Sequence, residues 1–251
     1  MQETGNKDLR EYLDYLKSHP EEMQNIVTAL TIKVSNFFRN PLVFELLSSH
    51  ILPDLINDFR FINAWSIGCA NGEEPYSLAI ILKDLQKKEN NPVTVRIHGT
   101  DIDSRAIENA MKGVYPGSEL EDVKKKYMDT FFENIPKPYD ELTEFEHIFR
   151  IKDEIKEMVN LECDDIIARL KTKISRHNHF NLIFCSNMLI YLNRPLQEEI
   201  LNMLTEMLYE TGYLIIGASE TLPETVRQHF DQPFAGVKIY RKKSQSQQSL
   251  D

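Results

Sequence analysis

The stretch WSIGCANGEEPYSLAIIL, residues 65–82, constrains the fold more than any other in the chain. It opens on an apolar run suited to a buried strand and closes on an apolar run suited to a buried helix. Gly68 and Gly72 lie between the two, followed at once by Glu73 and Glu74. Strand, glycine turn and helix in that order form the first unit of a nucleotide-type α/β sheet. The chain beyond residue 60 continues the pattern. RFINAWSIG, TVRIHGTDID, MVNLECDD, FNLIFCSNML, YLIIGASE and VKIYRKK read as strands. EPYSLAIILKDLQKK, SRAIENAMKG and PLQEEILNMLTEMLYETG read as helices, the last two closed by Gly113 and Gly212. Such alternation predicts a doubly wound, mostly parallel sheet that binds ligands at the carboxyl ends of its strands.

Upstream, Leu9, Tyr12, Leu13 and Leu16 fall at helical spacing, and Met23, Ile26, Val27 and Leu30 repeat it after Pro20. Asn40 and Pro41 supply an N-cap and an N1 proline for a third helix carrying Phe44, Leu47 and Ile51. Residues 114–158 break the alternation. There Leu120, Val123, Tyr127 and Phe131 suggest a helix, IPKPYDEL a turn and EHIFRIKDEIKEM strands. The expected organisation is a helical domain with a connecting helix over 1–50 and an α/β domain over 51–241. The latter carries an inserted subdomain at 114–158, and residues 242–251 read as a disordered tail.

A chain of 251 residues, 41% hydrophobic and 27% charged, can bury one α/β core with a small accessory. Its net charge of −10 argues against a nucleic-acid partner, which would demand a basic footprint. Local basic patches remain possible, for example Lys124, Lys125 and Lys126. No stretch approaches the ~20 apolar residues of a membrane span, so no membrane insertion and a cytoplasmic location are expected. Cys69, Cys163 and Cys185 show no CxxC or CxxH spacing, so no metal site is expected and the three read as buried free thiols. His177 and His179 read as loop residues.

The acidic turn decides between ligands. It spells G-C-A-N-G-E-E, without the GxGxxG of dinucleotide sites or the lysine of a P-loop. A pyrophosphate at this helix start would face two carboxylates at a cost in binding energy. S-adenosyl-L-methionine carries an ammonium and a sulfonium and no phosphate, so it suits the turn. The alternative is that both glutamates merely favour the helix dipole. At the end of the next strand Asp101 is placed to accept from ribose hydroxyls, while Asp103 or Ser104 caps the following helix.

Several segments together resemble the CheR-type chemoreceptor methyltransferases: SNFFRNPLVFELL, WSIGCANGEEPYSLAIIL, GTDIDSRAIENAMKGVY, FCSNMLIYLN and LIIGASETL, in the family's order. The resemblance implies a class I SAM-dependent methyltransferase fold, Rossmann-like, behind a small helical domain and with a small antiparallel insert. It implies methyl transfer from S-adenosyl-L-methionine to glutamates of the cytoplasmic helical domain of methyl-accepting chemoreceptors. Carried over residue by residue, the family's T-x-F-F-R motif falls on Ser35, Phe37, Phe38 and Arg39. Glu74 and Asp101 then meet the methionine and ribose portions. The adenine-side pair falls on Asp165 and Ile166, the earlier Asn160-Leu161 being a decoy. Cys185, Ser186 and Asn187 stand where the family has C-R-N, and Tyr191 matches a family tyrosine. Arg39, Ser35 and Tyr191 are the expected catalytic residues. The expected cofactor contacts are Ser35, Arg39, Gly68, Glu74, Asp101, Asp165, Ile166, Ser186 and Asn187.

A glutamate carboxylate is already ionised at pH 7 and needs no general base, so Arg39 is expected to position it and Phe37-Phe38 to exclude water. Lys33 and Ser186 depart from the family pattern and keep a SAM-binding regulator open as an alternative. A methyltransferase of another protein or of a small molecule is a second. No glycine lies between Gly117 and Gly212, so a receptor-tail tether through a glycine-rich loop is not expected, and a monomer is.

Overall fold

The computed structural model describes residues 4–5, 8–19, 22, 25–26, 35–89, 93–136, 147–172 and 179–244. The strands are β1 (Phe61–Ile67), β2 (Thr94–Asp101), β3 (Val114–Pro116), β4 (Phe132–Ile135) and β5 (Ile148–Ile151). They continue as β6 (Val159–Cys163), β7 (Phe180–Cys185), β8 (Leu208–Ile216), β9 (Phe230–Asp231) and β10 (Ile239–Lys242). Seven of them form one sheet in the order β6-β2-β1-β7-β8-β10-β9. The first five run parallel, and β10 and β9 add antiparallel strands at one edge. From β1 the chain winds outward through β2 to β6, then returns to the other side of β1 as β7. The reversal opens a crevice over the carboxyl ends of β1 and β7, where doubly wound sheets bind ligands.

Helices cover both faces, so β1 is buried along six of its seven residues. Ile62 and Ala64 belong to the core that includes Leu78 and Ile81 of helix Glu73–Glu89. Trp65 and Ile67 join the opposite core with Ile200 and Leu204 of helix Arg194–Met207. Gly99 of β2 lets helix Glu73–Glu89 and β6 close in: a Cβ there would stand 2.7 Å from Leu161 Cδ2 and 3.3 Å from Pro75 Cγ.

The insert forms its own antiparallel sheet, β3-β5-β4. Helix Lys125–Phe131 packs Tyr127 and Phe131 inward. Ion pairs fasten the insert to helix Glu73–Glu89: Lys126 of helix Lys125–Phe131 meets Asp84, which Lys88 also pairs, and Glu154 of helix Asp153–Lys156 meets Lys83 and Lys87. The basic run is therefore partly neutralised, Lys125 also pairing with Asp129.

Other sequence expectations are corrected. Gly212 does not close a helix. The helix stops at Met207, and Leu208–Ile216 is a strand in which Gly212 lies against backbone, a Cβ there standing 2.9 Å from Tyr209 O. Among the described residues of EHIFRIKDEIKEM, only Ile148–Ile151 is strand, and Asp153–Lys156 turns helical. Asn40 precedes helix Pro41–Leu46 in a left-handed conformation and its side chain makes no capping bond. Helix Leu9–Ser18 forms, capped by Asp8, but buries no residue. Cys163 is exposed, whereas Cys69 and Cys185 are buried. Most of the helix expected after Pro20, including Met23, Val27 and Leu30, and also Lys33, IPKPYDEL beyond Pro136, His177 and the tail from residue 245 fall outside the described residues. No helix among the described residues is long and apolar enough to cross a membrane.

Candidate active site

A cavity of about 470 Å³ fills the crevice. It is built first by the turn after β1. Gly68, Ala70 and Gly72 all take positive φ, at 71°, 49° and 90°. Gly68 and Cys69 both donate their N–H to Thr100 O, at 2.8 and 3.0 Å, which draws the turn over the end of β2. Asp101 locks it there: Oδ2 accepts from Ala70 N at 2.8 Å and Oδ1 from Asp103 N at 2.9 Å. Asp103 itself caps helix Ser104–Lys112 by accepting from Arg105 N.

Glu73 and Glu74 start the next helix but have different surroundings. Glu73 is fully buried outside the cavity, and burial pushes its carboxyl to about 7 although Asn71 and Ser35 beside it pull it back. Glu74 faces the cavity and accepts from Ser66 Oγ at 2.7 Å. Burial raises it to about 7 as well; Ser66 and the Arg39 charge oppose the rise, while Glu220 and Glu73 add to it.

The segment 35–39 reaches the cavity through an aromatic anchor. Phe37 donates its N–H to Glu119 O at 3.2 Å and sets its ring edge-on to Tyr115 and Phe132 of the insert. Phe38, at φ 56°, donates its N–H to Ser77 Oγ at 2.9 Å and stacks on Tyr127. The two phenylalanines are thus core residues and do not wall the cavity, contrary to expectation. Their burial turns Ser35 and Arg39 toward it, and Phe44 supplies the aromatic wall.

All the predicted site residues line this one cavity: Ser35, Arg39, Gly68, Glu74, Asp101, Asp165, Ile166, Ser186, Asn187 and Tyr191. Asp165 sits just ahead of helix Ile166–Thr172 and accepts from Ile167 N at 2.8 Å. Asn160 and Leu161 lie within β6, away from it. Tyr191 stands at the mouth, 56% exposed. Sequence reasoning missed Ser66, Asp164, Met188 and the apolar lining of Ile67, Ile102 and Ile190. Alternation along β1 pointed Ser66 to the helix face, but nothing short of the fold put Glu74 above it. Five carboxylates (Glu74, Asp101, Asp103, Asp164, Asp165) and one guanidinium (Arg39) line the cavity. That balance favours a cationic, hydroxyl-bearing ligand over a phosphate.

A model of the CheR methyltransferase SAM-binding domain matches residues 33–238. Curated chemotaxis protein methyltransferases are similar over most of their lengths. That of Vibrio parahaemolyticus is 31% identical over 198 residues, covering 78% of this chain and 67% of its own. That of Borreliella burgdorferi is 27% identical over 225 residues, covering 87% and 75%. That of Escherichia coli K12 is 29% identical over 226 residues, covering 89% and 74%.

Proposed function

The chain belongs to the CheR methyltransferase family, and on that premise we propose that its cavity takes S-adenosylmethionine and presents the methyl group to glutamate side chains of chemoreceptors, forming methyl esters in chemotaxis adaptation. The substrate would be the cytoplasmic helical domain of such a receptor, with the enzyme acting as a cytoplasmic monomer. The residues present fit the cofactor. The acidic lining matches its ammonium, sulfonium and hydroxyl groups, and the left-handed Gly68 lets a ligand approach bare backbone at the end of β1.

Bound S-adenosylmethionine supplies an electrophilic methyl carbon on a positively charged sulfur. The chain's own groups arrange the rest. Glu74 receives the ammonium end and gives up its proton to do so. Asp101, fixed by two backbone N–H groups at the end of β2, faces the ribose hydroxyls. Asp165 and Ile166 flank the adenine, with Ser186 and Asn187 on the β7 side. Arg39 and Ser35 orient the incoming carboxylate, and Tyr191 directs it from the mouth. Because that carboxylate has an ordinary pKa of about 4.3, the site needs no base, only alignment and exclusion of water. Phe44, Ile67, Ile102, Met188 and Ile190 provide the dry surround.

The support for this reading is one cavity lined both by a carboxylate suited to a cation, Glu74, and by a guanidinium suited to an anion, Arg39. Incubation with methyl-labelled S-adenosylmethionine and a receptor cytoplasmic fragment tests it. Label should enter the receptor and leave as methanol in mild alkali, the behaviour of a carboxyl ester. Alkali-stable label, or none despite cofactor binding, would refute it.

A further inference from the structure

The far wall of the cavity, Ser186 to Leu192, contains one short 3-10 turn, Leu189–Tyr191, and is otherwise tied from outside. Glu220 does most of this. It lies just past β8, is only 4% exposed and does not line the cavity. Three backbone N–H groups converge on its carboxylate. Oε2 accepts from Gly217 N at 2.6 Å and from Asn187 N at 3.0 Å, and Oε1 accepts from Leu189 N at 2.8 Å. Asn187 is thereby kept at φ 59°, a left-handed conformation that non-glycine residues rarely hold unaided. Gly217 makes room for the arrangement: a Cβ there would stand 2.8 Å from Glu220 Oε2 and 2.9 Å from Asn187 N. Behind the wall, Gln197 Nε2 donates to Leu189 O at 2.8 Å and Leu192 O at 2.9 Å.

What the wall faces gives the arrangement its consequence. Met188 lies against the turn after β1, its Cβ 3.5 Å from where a Gly68 Cβ would be. The width of the cleft between β1 and β7 is therefore set by where Asn187 and Met188 stand. We propose that Glu220 is a positioning residue for the cofactor site, fixing the Asn187–Met188 wall against the glycine turn. A carboxylate is required, because three donors need acceptors on both oxygens. A glutamine would turn its own NH₂ toward at least one backbone N–H.

The proposal rests on the cofactor reading above, and its test separates the two. Adenosylhomocysteine binding is measured by calorimetry on the full chain and on E220Q, alongside thermal unfolding and ligand-free amide hydrogen exchange. E220Q should weaken binding about 10- to 100-fold, the range for losing hydrogen bonds to a charged group. It should also speed exchange at Asn187 and Leu189 while amides of β1 and β2 stay protected. E220D, shorter but charged, should recover part of the affinity, and it carries the same comparison if E220Q does not fold. A variant with a lower melting temperature but binding within twofold of the parent would overturn the proposal. So would unchanged exchange at Asn187 and Leu189. If the unmodified chain bound neither adenosylhomocysteine nor S-adenosylmethionine, the cofactor reading would fall, and the exchange data would still decide what Glu220 holds.

Discussion

Cofactor binding should release a proton from Glu74. In the free protein its carboxyl stands at about 7, lifted chiefly by burial. An ammonium arriving beside it stabilises the charged form and lowers that pKa. A group whose pKa falls on binding makes binding tighter as pH rises, up to its pKa in the free state. With that value at 7, about nine-tenths of the free protein carries the proton at pH 6 and about half at pH 7. Affinity at pH 6 should then be about 10-fold below its plateau, and at pH 7 about twofold below. The plateau is approached near pH 8, where Glu74 is already ionised in most of the free protein. Calorimetry of adenosylhomocysteine in two buffers of different ionisation enthalpy reads the effect directly. About 0.9 proton should leave per ligand at pH 6 and about 0.5 at pH 7. Glu74→Gln should bind more weakly at pH 7.5 and show neither the release nor the slope. Equal affinity at pH 6 and 7.5 in the unmodified chain, with no proton released, would refute the placing of the ammonium at Glu74.

Glu73 should show its raised pKa in stability instead. Its folded value of about 7 exceeds the ordinary 4.5, so its contribution is full below pH 4.5 and is lost as pH rises through 7. That loss is about 3 kcal/mol in all, of which about 2.5 kcal/mol falls between pH 5 and pH 8, and denaturant titrations at those two pH values should show Glu73→Gln flattening the pH dependence by about that much. Arg39→Ala should lower methyl transfer to a receptor fragment strongly while leaving S-adenosylmethionine affinity within a few-fold; full activity with labelled cofactor would remove Arg39 from the mechanism. Asp101→Asn keeps one good acceptor where two backbone N–H groups need them, so it should weaken cofactor binding about 10- to 100-fold by calorimetry. Unaltered affinity would show that Asp101 serves only the turn.

The sheet was legible in the sequence wherever a strand is buried on both faces and its turn carries a glycine. The run from Trp65 to Leu82 and that from Thr94 to Gly113 read correctly for this reason. Gly212 misled because it looks like a helix stop, whereas its lack of a side chain serves β8 where Asn181 and Tyr209 backbone crowd it. The site residues were legible as motifs, and the way they are held was not. Phe37 and Phe38 looked like a cavity wall because they flank Arg39 in sequence, yet their partners lie in the insert. Glu220 sits in a recognisable GASE segment, but three N–H groups from two loops meet on it only once β7 and β8 pair.

The aromatic anchor of Arg39 also fixes when this arginine can find its place during synthesis. Phe37 rests on Tyr115 and Phe132, which emerge from the ribosome long after it does. At about 5–20 residues per second, the arginine waits for roughly 5–20 s before its support exists. An early segment of the polypeptide is thus among the last parts of the site to settle, and nascent chains that stop short of Phe132 should hold the cofactor crevice's first strands without a seated arginine.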